Sequence, residues 1–147
     1  MTDVLMKLEK HTDAIREVED EIDSALKDPG GLGKHQRRLA FMISFGIAEL
    51  IEIYFHKLKI MKQGSRIKHD WLKKKTALNS QENQIIKPID QVKEIENIIK
   101  ISKRIEEKRN DLAYSSPVEE DEILKEEING YFRIKRIVEI ETGDIHG

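Results

Sequence analysis

Cysteine is absent from this 147-residue chain, which also has only three prolines, eight glycines and 5% aromatic residues. Without cysteine there are no disulfides, thiolate metal sites or cysteine nucleophiles. So few prolines and glycines exclude a collagen-like rod or a Pro/Gly-rich linker, and the composition is not that of a β-sandwich. No apolar run reaches the roughly 18 residues that a membrane span needs, and the charged first residues lack a signal-peptide core. We therefore expect a cytoplasmic protein with no membrane association.

Helical periodicity is the dominant pattern in the sequence. Across residues 2–27 the apolar side chains recur every three or four positions and form one stripe along a helix. DPGGLG at 28–33 ends this helix, because proline cannot continue it and glycine allows a left-handed backbone. The same periodicity predicts helices over about 35–62, 66–78, 88–114 and 116–141, with the apolar 35–62 segment in the centre. We therefore predict an all-α, up-and-down bundle of about five helices, forming one domain over residues 1–147.

The net charge of −2 is unevenly distributed along the chain. Residues 34–75 carry eleven basic and three acidic side chains, a net charge of +8, and the segments on either side each carry −5. A basic middle of this kind favours binding to a polyanion or to an acidic neighbour. It is also the pattern of a solvated lysine-rich helix face, and charge alone does not decide between the two.

The most concentrated part of the basic segment surrounds Trp71. Positive side chains that alternate with an aromatic ring can hold phosphates and stack a base. Our candidate RNA-binding residues in this stretch are Arg66, Lys68, Lys73, Lys74 and Lys75. The alternative is an ordinary amphipathic helix with Trp71 turned toward the core.

The most distinctive motif is EKRNDLAYSSP at residues 107–117, at the predicted end of a long helix. Asn110 and Tyr114 are four positions apart and share a helix face, with Arg109 beside them. A permanently charged guanidinium next to an amide and a phenol can hold a phosphate group. In the alternative interpretation, Arg109 balances the negative helix C-terminus and Tyr114 packs at the end of the bundle.

The sequence RNDLAY resembles the signature of HEPN domains. It lies at the end of the penultimate long helix, before a final helix that is capped by serine and proline. HEPN domains are helical domains named for higher eukaryotes and prokaryotes nucleotide-binding. FGIAELIEIYFHKL at 45–58 resembles the family's second helix, in which an acidic residue lies among small and apolar ones. The resemblance implies a helical bundle that pairs as a homodimer, with both arginine motifs facing one cleft. Many members are metal-independent ribonucleases of toxin–antitoxin, antiviral or RNA-processing systems, often beside a small nucleotidyltransferase. Others are inert binding modules.

Carried over residue by residue, the resemblance makes Arg109 the group that stabilises phosphate charge and Asn110 the residue that orients it. Glu49 takes the place of the acidic residue of the second helix, with Glu52 as its rival. Tyr114 stands where the family has a histidine. RNA cleavage through the 2′-hydroxyl needs a proton acceptor with a pKa near the working pH, and the reference pKa is about 10 for tyrosine against about 6.5 for histidine. Tyr114 can still donate a hydrogen bond or stack on a base.

Glu49, Glu52 and His56 also fall on one face of the second predicted helix and could form half of a metal site. Dinuclear carboxylate bundles require a Glu-x-x-His pair on each of two helices, and no glutamate in this chain precedes a histidine by three residues. We therefore expect neither a metal nor another cofactor. We assign no role to His11, which lies near the N-terminus.

Two functions remain open on the sequence alone. The first is a HEPN-like protein that binds RNA or a nucleotide, with or without metal-independent ribonuclease activity of the toxin type. The second is a non-enzymatic helical dimer that binds a protein partner such as a nucleotidyltransferase. Candidate residues for the dimer interface are Phe55, Tyr131 and Phe132.

Overall fold

The computed structural model describes residues 2–59, 92–115, 121–143 and 145, with side chains from residue 9 onward. Every regular element in these ranges is helical, which confirms the all-α prediction. The elements are α1 (Thr2–Lys27), a 3-10 turn (Leu32–His35), α2 (Gln36–Lys57), α3 (Ile95–Tyr114) and α4 (Glu122–Thr142). The predicted helix over 66–78 lies outside the described residues, and so do the candidate RNA-binding residues Arg66, Lys68, Lys73, Lys74 and Lys75.

Neighbouring helices in the described part of the chain run antiparallel. Contacts at both ends of each pair establish this for α1 with α2 (Glu21 to Arg38, His11 to Glu49) and for α2 with α3 (Gln36 to Leu112, Tyr54 to Lys93). α4 packs against α2 and also contacts α3. These pairings are those of a helical bundle.

α2 is the central helix and packs against the other three. Its residues 47–55 are all buried, so this part of the helix has no side that faces solvent. The most apolar 18-residue window within Leu32–Lys57 has a mean hydropathy of 1.5 and passes the test for a membrane span by length and composition, but 78% of that window is buried inside the structure. Burial by the neighbouring helices accounts for the hydropathy of α2.

Gly46 lies where α1, α2 and α4 come closest together. A Cβ atom at this position would lie 2.8 Å from Cε2 of Tyr131 and 2.9 Å from a methyl carbon of Val18. The hydroxyl of Tyr131 donates a hydrogen bond to Glu19 of α1, which also accepts one from Lys135. The first and last helices are therefore joined both by close packing and by a polar contact.

Two of the three aromatic residues predicted for a dimer interface lie in the core instead. Phe55 and Tyr131 are completely buried, whereas Phe132 is 39% exposed. The prediction was wrong for the first two because α2 buries its whole circumference at Phe55, and because α4 turns Tyr131 toward Gly46. A helical period identifies an apolar side chain but not which neighbour covers it.

Two predicted helix boundaries are also wrong. α2 ends at Lys57 rather than near residue 62, and Lys59 has a left-handed backbone with φ of 58°. α3 begins at Ile95 rather than near 88, because Glu94 is left-handed with φ of 65° and follows a turn. The carbonyl of Lys93 in that turn accepts a 2.8 Å hydrogen bond from the Tyr54 hydroxyl, so α2 holds it in place. The predicted start of the last helix, at residues 116–119, lies outside the described residues.

A buried histidine fastens the connection between α1 and α2. The two ring nitrogens of His35 contact different carboxylates: Nδ1 lies 3.1 Å from Glu21 and Nε2 lies 2.8 Å from Asp28. When the ring is protonated, each nitrogen donates a hydrogen bond. These bonds raise the pKa of the His35 imidazole, the one to Asp28 most strongly, although burial and nearby Arg38 act in the opposite direction.

This histidine is expected to make stability depend on pH. Because the pKa of His35 is higher in the folded protein than its ordinary value of 6.5, the stabilisation is fully present below that value and is lost as the pH rises through the folded pKa. We expect the difference in unfolding free energy between wild type and His35→Gln, measured by urea unfolding, to shrink as the pH rises through this window. A difference that stays constant with pH would rule out a charged histidine here.

Candidate functional site

The C-terminal end of α3 is capped by side chains from the start of α2. Nε2 of Gln36 donates a 2.9 Å hydrogen bond to the carbonyl of Leu112, and Nε of Arg37 donates a 2.9 Å bond to the carbonyl of Ala113. The last turn of a helix has carbonyl groups without intrahelical partners and carries partial negative charge. Gln36 and Arg37 therefore perform the balancing role that the alternative interpretation gave to Arg109.

Arg109 and Tyr114 both contact one aromatic ring, that of Phe41 in α2. The guanidinium carbon of Arg109 lies 5.0 Å from the centre of the Phe41 ring. The Tyr114 ring meets the same ring edge-on, with centroids 6.2 Å apart and an interplanar angle of 80°. Tyr114 is 74% exposed, so it does not pack at the end of the bundle as the alternative interpretation required. We call these three residues the Arg109–Phe41–Tyr114 surface.

Arg109 retains hydrogen-bonding capacity within this surface. Its Nε is buried, and it has no acceptor among the residues that the structure describes. Stacking on Phe41 fixes the position of the guanidinium without using its N–H donors. Asn110, the third residue of the motif, is exposed on the same turn of α3. The local structure therefore holds this cation in place against Phe41.

The two sides of Phe41 differ in charge. Toward α1, a shallow cavity of about 470 Å³ is bounded by Phe41, Arg38 and three acidic side chains, Glu17, Asp20 and Glu21. Toward α3 lie Arg109 and Tyr114. An anion is repelled by the first side and attracted by the second. The α3 side of Phe41 is therefore the more favourable of the two for an anion.

Glu49 is not part of this surface. It is buried between α1 and α2, where its carboxylate contacts Nδ1 of His11, and Glu52 lies beside it at 3.7 Å from the same nitrogen. The ring of His56 stacks on that of His11 with centroids 6.1 Å apart. The buried acidic residue of α3 one turn before Arg109 is instead Glu106, which accepts a hydrogen bond from Ser44 in the α2–α3 contact. The structure thus separates Glu49 from the residues with which the resemblance grouped it.

Sequence reasoning missed two residues that the structure brings to these clusters. Phe41 had a usable signal, since it is an aromatic residue close to Arg37 and Arg38 rather than on the apolar stripe of α2. His11 had none, because it lies among polar residues of α1 and its partner is 38 positions away in the sequence. Local pattern cannot reveal a contact of that kind.

A separate groove of about 280 Å³ runs between α3 and α4. Its rim carries Arg104, Lys108 and Arg133, and Glu127 lies in its wall. Glu127 is almost completely buried, and its Oε1 has no hydrogen-bond partner among the described residues. Burial raises the pKa of this carboxyl to about 8. The groove shares no residue with the Arg109–Phe41–Tyr114 surface.

No protein-family model, curated protein or solved structure matches this chain. Membership of the HEPN family is therefore a hypothesis that rests on the residues at 45–58 and 107–117. The geometry of Arg109, Phe41 and Tyr114 stands independently of that hypothesis, because it follows from how α2 and α3 pack.

Proposed function

We propose that this chain is an RNA-binding protein of the HEPN type, which holds single-stranded RNA at the Arg109–Phe41–Tyr114 surface. The observation that carries the proposal is the position of Arg109: its guanidinium is stacked on Phe41, and Gln36 and Arg37, rather than Arg109, cap the end of α3. A guanidinium in this situation is suited to bind a phosphate oxygen.

The exposed phenol ring supplies the second half of the recognition. Single-stranded RNA presents unstacked bases, which bind to the faces of aromatic side chains. Tyr114 offers such a face, because its side chain is 74% exposed although it contacts Phe41. One nucleotide can then place its phosphate on the arginine and its base on the tyrosine. Exposed Asn110 is close enough along the helix to hydrogen-bond the same nucleotide.

The geometry supports binding better than cleavage. Among the described residues no histidine contacts Arg109 or Tyr114, whose ring and cation contacts are both with Phe41. His11 and His56 face the α1–α2 contact, and His35 is bound by Glu21 and Asp28. General-base catalysis requires a proton acceptor within hydrogen-bond reach of the 2′-hydroxyl. We therefore propose that the protein binds RNA without cleaving it.

The test is fluorescence anisotropy with a labelled single-stranded RNA of mixed sequence. We expect Arg109→Ala to weaken binding roughly tenfold or more, because a hydrogen bond to a charged group contributes about 1.5–3 kcal/mol. Tyr114→Ala is expected to weaken it to a similar degree, since base stacking contributes about 1–3 kcal/mol. Affinity should also fall as salt concentration rises.

Arg136→Ala is the matched control for the change in charge. Arg136 is exposed on α4, away from the proposed surface, and its removal also costs the protein one positive charge. We expect the affinity of Arg136→Ala for RNA to stay within about twofold of wild type, because this substitution changes only the overall electrostatic field of the protein. Equal affinities for wild type and Arg109→Ala would refute the proposed surface. Sedimentation of the same samples tests the homodimer that the resemblance implies.

Cleavage is tested on the same RNA in the presence of EDTA. We expect intact RNA with wild type and with Arg109→Ala alike. Cleavage by wild type that survives EDTA and disappears in Arg109→Ala would show a metal-independent ribonuclease, and would overturn the binding-only part of the proposal. In that case Tyr114→Phe would report whether the phenol hydroxyl takes part in the reaction.

A further inference from the structure

Two carboxylates in the α1–α2 contact converge on one imidazole nitrogen. Nδ1 of His11 contacts an oxygen of Glu49 and lies 3.7 Å from an oxygen of Glu52. One ligand atom from each of the three side chains lies within 4.8 Å of the other two. A single cation placed between three atoms at that spacing can contact all of them after small side-chain adjustments.

Burial of these side chains makes a cation favourable there. Glu49 and Glu52 are 4% and 1% exposed, in the part of α2 that is buried on every side. Two carboxylates held side by side in such a place repel each other, and removing their charge from water is costly. A divalent cation would place two positive charges against both of them, which a single protonated imidazole cannot do.

The other buried histidine cluster shows what distinguishes this one. His35 also has two carboxylate neighbours, but Glu21 binds its Nδ1 and Asp28 binds its Nε2, on opposite edges of the ring. Because the ring of His35 lies between Glu21 and Asp28, the two carboxylates cannot bind one ion together with a ring nitrogen. At His11 both carboxylates lie on the Nδ1 edge, as ligands of one ion must.

A second imidazole stands next to this group. The His56 ring stacks on the His11 ring, with centroids 6.1 Å apart and an interplanar angle of 28°. His56 follows Glu52 by four positions on α2, which places both on one face of the helix. A set of imidazole nitrogens and carboxylate oxygens is typical of sites for Zn²⁺, Mn²⁺ and Fe²⁺.

We propose that His11, Glu49 and Glu52 bind one divalent transition-metal ion, with His56 available as a fourth ligand. The site joins the N-terminal helix to the central helix. It is separate from the Arg109–Phe41–Tyr114 surface: Glu49 lies eight residues beyond Phe41 on α2, about 12 Å along the helix axis, and faces α1 rather than α3.

The test uses protein stripped of metal with EDTA and then desalted. Isothermal titration with Zn²⁺ and, separately, with Mn²⁺ is expected to show one saturable site per chain, with Zn²⁺ the tighter of the two. Saturating Zn²⁺ should raise the midpoint of thermal unfolding, because a ligand that binds only the folded state stabilises it.

Two variants and one control assign the site. Glu52→Gln keeps the shape of the side chain and removes its charge, and His11→Asn removes the nitrogen ligand. We expect each variant to lower the Zn²⁺ affinity at least tenfold and to abolish the increase in the midpoint of thermal unfolding. His35→Asn removes a buried histidine from the cluster that cannot converge, and Zn²⁺ affinity should not change. Far-ultraviolet circular dichroism checks that each variant is folded.

Absence of a saturable site in the wild type would overturn the proposal. So would equal Zn²⁺ affinity in the wild type and in the Glu52→Gln and His11→Asn variants, since the ion would then lie elsewhere. RNA affinity in His11→Asn should equal that of the wild type. The metal proposal and the RNA proposal therefore fail or succeed separately.

Discussion

Replacing Glu127 by glutamine is expected to stabilise the protein strongly at alkaline pH and hardly at all in mild acid. Glu127 is buried in the wall of the α3–α4 groove, and that burial raises the pKa of its carboxyl from 4.5 to about 8. Lys108 and Arg104 lower the pKa, and Glu106 and Glu126 raise it further. The folded protein therefore keeps a proton on this carboxyl at pH values where the unfolded chain has lost it.

The sign of the effect follows from that difference. Above pH 4.5 the unfolded chain gains stability by ionising Glu127, whereas the folded protein cannot do so until the pH passes about 8. Each pH unit across this window costs wild type up to about 1.4 kcal/mol of unfolding free energy. Glutamine resembles the protonated acid and does not titrate. We expect Glu127→Gln to exceed wild type by roughly 3–5 kcal/mol at pH 8 and above, and by less than about 1 kcal/mol near pH 5.

Urea unfolding of both proteins across this pH range measures the effect, and Glu126→Gln is the control. Glu126 is the preceding residue but is exposed, and it forms a 2.9 Å ion pair with Arg104 on the surface. Surface pairs of this kind contribute about 0–1 kcal/mol, so this variant should track the wild type at every pH. Parallel stability curves for wild type and Glu127→Gln would mean that Glu127 ionises normally in the folded protein.

Gly46→Val is expected to destabilise the protein by about 3 kcal/mol or more. The β-carbon alone would lie 2.8 Å from Tyr131 and 2.9 Å from Val18, and valine adds two further methyl groups in the same space. Overfilling a packed core costs about 1–3 kcal/mol even for modest additions. Gly46→Ala should be less severe, because alanine recovers about 1 kcal/mol of helix propensity against the same clash.

Gly130→Ala is the matched comparison for Gly46→Ala. A β-carbon at Gly130 would lie 3.0 Å from Cδ1 of Ile105 and 3.1 Å from Cγ2 of Ile101, which are methyl carbons rather than a ring carbon of a fully buried tyrosine. These methyl groups need to shift only by a few tenths of an ångström, so the gain in helix propensity should leave this variant about as stable as wild type or up to about 1 kcal/mol more stable. If chemical denaturation shows Gly46→Ala to be as stable as Gly130→Ala, the three helices do not pack as closely as described.

The parts of the fold that depend on local pattern could be predicted from the sequence. The apolar stripe of residues 2–27 and the DPGGLG break set both ends of α1 as expected. The start of α3 could not be predicted in this way. Ile95 begins the helix because the turn before it is held by the Tyr54 hydroxyl, a contact across 39 positions of sequence. Helix propensity is a weak preference that such tertiary contacts override.

In the candidate site too, residues within one helix could be predicted from the sequence, and contacts between helices could not. Arg109 and Tyr114 could be identified because they lie within one short motif on one helix. Phe41, which both of them contact, required knowledge that α2 and α3 run antiparallel in register. The expectation of no metal rested on the spacing of glutamate and histidine along the sequence, and His11 reaches Glu49 only through the pairing of α1 with α2.

The contact of Glu19 with Tyr131 and Lys135 has a consequence for how the chain acquires its structure on the ribosome. These partners are separated by 112 and 116 positions, so α2, α3 and much of α4 must be synthesised before Glu19 meets them. The hairpin of α1 and α2 emerges first, with the side of Gly46 that later receives Tyr131 still uncovered. Until α4 is synthesised, the apolar surface at Gly46 that Tyr131 later covers therefore remains exposed.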